Sequence, residues 1–365
     1  MMSKKTKILI VIDQMAEGGA ARVTSLLLSG LVGLGYDIAI ALDNVNARIF
    51  YSIPDSIKII TLPIKNNDNP GFKQIRLILA TSRIIKQEKP NVVLAVTFFP
   101  FFYSYYAKIG LGIPVICYDH TSFGRNMGRF INWIRYSLYG KADKLVILTK
   151  KDERLLGDKF PRKEVVYNPL TYPIIRHCNI RQKTILCAGR VDSWDVKGFD
   201  RIINIWGTLS KKYPEWKLQI AGGGEPKKMD EVKQLLADAH VEDSTELLGQ
   251  VYDMPSLYAK TSIFALPSRV EGFPMVLLEA MSQGCVCVSY EMGGAVYEIM
   301  NENSGYIVKD GSLEEFSNAL EQLINAYPDY SDKQESGYVA AGRFTCDTFY
   351  NQWDRLIKDT IKLKK

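Results

Sequence analysis

A chain of 365 residues and 41.3 kDa is long enough for two domains. Hydrophobic residues at 47% and charged residues at 24% exclude a disordered, collagenous or coiled-coil protein. The net charge of +6 is unevenly held: residues 1–180 carry 25 basic against 13 acidic side chains, and residues 181–365 carry 21 against 27. The first half is therefore the one expected to meet an anionic partner.

Short apolar runs rich in β-branched residues alternate with segments of helical period. The first half reads as strands over Lys7–Ile12, Asp37–Leu42, Lys58–Leu62, Val92–Val96, Val115–Cys117, Leu145–Leu148 and Val165–Val166. Helices are expected over Ala20–Leu34 and Phe72–Glu88. The second half repeats the scheme, with strands over Thr184–Ala188, Lys217–Ala221, Glu246–Leu248, Ile263–Leu266, Cys285–Ser289 and Tyr306–Val308. Its helices are Phe199–Lys211, Glu231–Ala239, Met275–Gln283 and Leu313–Ala326. Continuous apolar strands separated by helices indicate a parallel sheet covered on both faces. The fold class is α/β, with two doubly wound, Rossmann-like domains over residues 1–172 and 173–344 and a cleft between them. A terminal helix over 345–362, bearing Phe349, Trp353, Leu356 and Ile357, is expected to pack back on the first domain.

The basic, apolar start MMSKKTKILIVID reads as a first strand, because its six-residue apolar run stops at Asp13. The charge-free stretch Pro90–Ala107 is interrupted by Pro100 and falls short of the ~20 apolar residues of a spanning helix. Six scattered cysteines have no metal-site spacing and read as free thiols of a cytoplasmic protein.

Ligands of doubly wound sheets bind outside the carboxyl ends of the strands, so strand-end loops carry the chemistry. Gly18-Gly19-Ala20-Ala21-Arg22 follows the first strand, where glycines and free helix-start amides suit an anion, although a tight turn would look the same. Gly189-Arg190, followed by Lys197-Gly198, places two cations on one loop, a pattern suited to a diphosphate. Gly222, Gly223 and Gly224 leave room beside a ligand. Pro267–Ala280 is the richest segment: Ser268, Glu271, Gly272, Phe273 and Pro274 lead into a helix carrying Glu279 among apolar neighbours. A carboxylate in such company needs hydrogen-bond donors, which a polyhydroxyl ligand supplies. His120, in Asp119-His120-Thr121-Ser122, is the histidine at a strand end; the other two are His177 and His240.

These loops in this order resemble the retaining glycosyltransferases of family 4, of GT-B fold. The resemblance is most specific over Gly249–Gly284, GQVYDMPSLYAKTSIFALPSRVEGFPMVLLEAMSQG. It implies that Glu271 contacts the donor sugar and that Glu279 holds the ribose hydroxyls. Arg190 and Lys197, with the Gly18 and Gly19 amides, bind the diphosphate on this reading. The backbone near Val251 holds the base, and His120 sits at the donor sugar. The chain departs from the family pattern in having Ala21 where glutamate is common, and in the long spacer VDSWDV before Lys197.

The implied activity is retaining transfer of a hexose or N-acetylhexosamine from a nucleotide sugar, expected to be a UDP-sugar. No cofactor or metal is expected, since no strand-end DxD is present and the two cations can serve the leaving group. Asp192 and Asp195 read as solvated. The acceptor is expected to be a glycan, polyprenyl-diphosphate-linked or polysaccharide, docked at the cytoplasmic face of the inner membrane. Its contacts would come from the basic, aromatic stretch Arg125, Arg129, Phe130, Trp133, Arg135, Tyr136 and Lys141. Alternatives are an epimerase or phosphorylase on the same fold, or a non-catalytic sugar-binding protein. Neither the paired acid/base groups of an epimerase nor a pyridoxal lysine is apparent. No nucleic-acid motif is present.

Overall fold

The computed structural model describes residues 5–42, 49–63, 70–123, 128–176, 181–292 and 295–363. The chain folds as two compact units, Met1–Pro169 with Thr345–Lys365, and Leu170–Phe344.

The first unit holds a seven-stranded parallel sheet of order β3-β2-β1-β4-β5-β6-β7. Its strands are β1 (Lys7–Ile12), β2 (Asp37–Leu42), β3 (Lys58–Thr61), β4 (Val92–Val96), β5 (Val115–Tyr118), β6 (Lys144–Ile147) and β7 (Lys163–Val165). The apolar runs form central strands because every residue of β4 and β5 is buried, as parallel strands covered on both faces must be. One face packs on the helices Pro70–Glu88, Phe98–Ala107, Arg129–Tyr139 and Lys150–Leu156, through Leu77, Ile84, Phe101, Tyr139 and Leu156. The charge-free stretch is thus resolved into β4 and a ten-residue helix. No described helix is long and apolar enough to cross a membrane.

The opposite face takes the helices Gly19–Gly33 and Cys346–Lys362. Trp353 is fully buried and meets the Tyr118 ring edge-on at 4.8 Å. The two helices approach closely because Gly30 has no side chain: a Cβ there would lie 2.2 Å from the Tyr350 ring. The terminal helix thus belongs to the first unit's core, and its Thr345 hydroxyl caps it by accepting from the Thr348 amide.

The second unit repeats the topology in six parallel strands, ordered β10-β9-β8-β11-β12-β13. These are β8 (Gln182–Ala188), β9 (Lys217–Ala221), β10 (Thr245–Gly249), β11 (Thr261–Leu266), β12 (Val286–Tyr290) and β13 (Gly305–Val308). In both sheets the strand order reverses beside the unit's first strand, which opens a crevice at the carboxyl ends. Cys117, Cys187, Cys285 and Cys287 are buried and unpaired. Cys178 and His177 lie outside the described residues.

Candidate active site

In the second unit, four adjacent strands deliver their loops to one end of the sheet. Gly189 and Arg190 leave β8, Gly222–Gly224 leave β9, Gln250 and Val251 leave β10, and Ser268–Phe273 leave β11. The loops touch: the Gly189 amide donates to Ala221 O, the Val191 amide to Gly223 O, and the Gly222 amide to Gly249 O. A Cβ at Gly222 would lie 1.8 Å from Gly189 O, so glycine is what lets these backbones close.

The spacer before Lys197 folds into a 3-10 turn, Val191–Ser193, and one helical turn, Trp194–Lys197. The Trp194 indole donates to Glu231 at 2.8 Å, and Asp192 accepts from the Glu225 amide at 2.7 Å. Asp192 is exposed but bonded, so it fixes a loop in addition to being solvated. Lys197 is thereby delivered to Glu271, with Nζ 2.8 Å from Oε1, and the Ser268 hydroxyl donates to the same oxygen at 2.8 Å. Both charges are largely covered, at 23% and 13% side-chain exposure, which strengthens their interaction over that of a surface pair. Arg190 differs: it is exposed and has no ion-pair partner among the described residues, which leaves its guanidinium available to an incoming anion.

Gly198 turns the chain after Lys197 at φ +71°, and a Cβ there would lie 2.1 Å from Pro267 O. Gly198→Ala is expected to destabilise the protein by roughly 1–3 kcal/mol and to displace Lys197. Thermal unfolding would show this as a Tm several degrees lower; an unchanged Tm would contradict the close approach. Arg269 fastens the same two loops, with a bidentate ion pair to Asp200 at 2.8 and 2.6 Å.

Glu279 lies in the helix Met275–Ser282 and is 2% exposed. Its Oε1 accepts from the Thr171 hydroxyl at 2.7 Å and its Oε2 from the Tyr258 hydroxyl at 3.3 Å. Neither partner was apparent in the sequence, because they stand 108 and 21 positions away. Phe273 packs edge-to-face on Phe344, which supports the turn ahead of this helix. Pro274 occupies the cap position.

In the first unit, Gly18 caps the helix Gly19–Gly33 at φ +148° with open space around its Cβ position. Gly18 has no side chain with which to cap this helix, and the first turn holds no acid. Thr97, at the end of β4, adopts φ +74°, a strained conformation for a β-branched residue. It is held by its amide to Tyr118 O at 2.8 Å and its hydroxyl to Asp13 at 3.3 Å.

His120, just after β5, packs its ring at a tilt against Tyr118, 4.1 Å between centroids, and its Nε2 is buried without a hydrogen-bond partner among the described residues. Burial pushes the imidazole down to about 4, against the opposing pull of Asp119. The ring is therefore neutral at pH 7. The folded form binds fewer protons than the unfolded chain between pH 6.5 and about 4, so stability is lost as pH falls through that window. His120→Phe is expected to flatten the pH dependence of the unfolding midpoint there; an equally steep curve in the variant would count against the depressed value.

The basic stretch divides. Arg129 and Trp133 are exposed on the helix Arg129–Tyr139, with the Phe130 and Trp133 rings stacked at 6.4 Å. Arg135 instead points inward at 1% exposure, paired with Asp119, which also accepts from the Tyr139 hydroxyl at 2.7 Å. Its charge fixes the His120 loop and does not belong to the outer face. Arg125 lies outside the described residues. Among the described residues no cluster of three or more His, Cys, Asp or Glu side chains gathers to hold a metal.

Family comparison agrees with this layout. Residues 17–171 match the model described as Glycosyltransferase Family 4, and residues 177–339 match Glycosyl transferases group 1. The chain belongs to the glycosyltransferases. A glycosyltransferase of Haemophilus influenzae without assigned activity is 26% identical to this enzyme over 350 residues, covering 93% of this chain and 96% of the relative. The amylovoran biosynthesis glycosyltransferase AmsD of Erwinia amylovora is 28% identical, covering 87% and 90%. The N-acetylgalactosamine-N,N'-diacetylbacillosaminyl-diphospho-undecaprenol 4-alpha-N-acetylgalactosaminyltransferase of Campylobacter jejuni is 26% identical, covering 82% and 87%. Among solved structures, HepE of Anabaena in complex with UDP superposes with a TM-score of 0.79 at 18% identity, covering 97% of the enzyme and all of HepE. The two-domain fold of the glycosyltransferase is thus GT-B.

Proposed function

We propose that the enzyme transfers a hexose or N-acetylhexosamine, with retention of configuration, from a UDP-sugar to a glycan carried on a polyprenyl diphosphate or a growing polysaccharide. The observation that carries this reading is the strand-end cluster of Lys197, Glu271 and Ser268 on the loops that also carry the exposed Arg190. The lipid-linked acceptor named for the Campylobacter relative, the polysaccharide role of AmsD and the UDP held by HepE support it.

In this mechanism Glu279 takes the ribose hydroxyls, the Val251 backbone takes the base, and Gly222, Gly223 and Gly272 leave room for the donor. Arg190 closes on the diphosphate from solvent, while Lys197 shares its charge between Glu271 and the phosphate. As the bond to the leaving diphosphate breaks, these two cations stabilise the negative charge that develops. The reaction on this reading needs no metal ion. Glu271, held by Ser268 and Lys197, orients the sugar hydroxyls. Acceptor attack comes from the face of the sugar that the diphosphate leaves, and the departing phosphate takes the acceptor proton. Arg129 and Trp133 meet the cytoplasmic surface of the membrane that carries the acceptor.

The deciding experiment mixes purified enzyme and a membrane extract with a panel of nucleotide sugars, and reads nucleoside diphosphate release. Turnover is expected with a UDP-sugar and should depend on the extract. Absence of binding and turnover for every nucleotide sugar would sink the proposal.

A further inference from the structure

Three helices of the first unit share one sheet face: Pro70–Glu88, Phe98–Ala107 and Arg129–Tyr139. Of the twenty large apolar side chains that are exposed among the described residues, nine lie on these helices or in the turn after the second. Such concentration is unlike the single scattered apolar residues of an ordinary surface.

The helix Pro70–Glu88 contributes an unassigned share of it. Leu77, Ala80, Ile84 and Ile85 face the core, as the helical period requires. On the outer side Phe72, Ile75 and Leu79 are 68%, 55% and 54% exposed. At about 100° per residue these three fall within roughly 60° of arc. Arg76, Arg83 and Lys86 are exposed on the same side, and all six side chains fall within roughly 100° of arc. The one acid of the helix, Glu88, is turned away into ion pairs with Lys7 at 2.7 Å and Lys58 at 2.5 Å. The outer face is therefore apolar at its beginning and cationic towards its end.

A protein partner or second copy covering Phe72, Ile75 and Leu79 would have to bring its own acids to meet the cations. An anionic bilayer supplies both environments at once: acyl chains for the apolar side chains and headgroups for the guanidinium and ammonium groups. We propose that Pro70–Glu88 is a membrane-docking helix. Phe72, Ile75 and Leu79 enter the headgroup boundary of an anionic bilayer, and Arg76, Arg83 and Lys86 lie among its phosphates. The inference rests on the reading that the first unit meets a membrane, and names a second element of that contact besides Arg129 and Trp133.

The test is co-sedimentation of the full chain with vesicles of phosphatidylcholine alone and of equal parts phosphatidylcholine and phosphatidylglycerol. Binding is expected to the anionic vesicles and to weaken with salt. Phe72→Ser with Leu79→Ser should weaken it at least about tenfold, and Arg83→Ala or Lys86→Ala about fivefold each. Nucleoside diphosphate binding should be unchanged in all of them. Loss of binding in Trp133→Ala alone, with the Phe72 and Leu79 variant binding like the parent, would overturn the helix proposal and leave the membrane reading standing. A parent that binds neither vesicle would overturn both. A dimer in size-exclusion chromatography that the Phe72 and Leu79 variant dissociates would assign the face to a second copy instead.

Discussion

Arg190→Ala is expected to slow sugar transfer about a hundred- to a thousandfold, the usual consequence of removing one group that stabilises charge in the transition state. Arg190 is exposed and has no ion-pair partner among the described residues, so no described contact of the fold depends on its charge. Its removal should leave stability within about 0.5 kcal/mol of the parent. Lys197→Ala is a different experiment, because it also strips Glu271 of its partner at 2.8 Å and leaves a largely covered carboxylate uncompensated. A clean kcat loss with an unchanged melting curve is the signature to seek in Arg190→Ala. A kcat within threefold of the parent would remove Arg190 from the site.

The second large effect concerns Glu279. Glu279→Ala should weaken UDP binding at least about tenfold, the loss of a charge-assisted hydrogen bond or more. It should also lower stability, since the Thr171 and Tyr258 hydroxyls lose their acceptor, at about 1–3 kcal/mol for a buried group left unsatisfied. Glu279→Gln preserves volume and an acceptor oxygen, so it should recover much of the stability while binding stays weak. Tyr258→Phe and Thr171→Ala should shift binding less, because they leave the carboxylate in place. Calorimetric titration with UDP separates these cases. Parent-like affinity in both Glu279 variants would remove the ribose assignment.

Most of the architecture was legible because its signal is local. Most of the thirteen strands among the described residues are apolar runs, and the structure mainly shifts their ends by a residue or two, as with Cys285–Ser289, observed at Val286–Tyr290; the edge strand β7, Lys163–Val165, is the exception. The helix Ser331–Ala341 was not legible: SDKQESGYVAA has no apolar stripe, and what holds it is packing on the helix Met275–Ser282. The strand-end motifs were readable as types, glycines beside cations and glutamates beside a helix start. The groups that orient them were not. Arg135 sat in a run of cations with nothing to mark it as the one that turns inward to Asp119, and Thr171 lies in a proline-containing stretch of no clear period. Trp194 and Glu231 meet across 37 positions and explain why the long spacer still delivers Lys197. Side-chain partners of this kind are fixed by tertiary proximity, which spacing along one element does not encode.

The helix Cys346–Lys362 belongs to the first unit although it follows the whole second unit along the chain. A ribosome that has released residues up to Phe344 has therefore delivered the whole second unit, while the first still lacks Trp353 over Tyr118. Order of synthesis and order of completion are thus reversed for the first unit, against the usual course in which the amino-terminal domain finishes first. A nascent chain stalled at that point holds His120 beside a Tyr118 that is still uncovered. The first unit is therefore completed only after the whole second unit has been made.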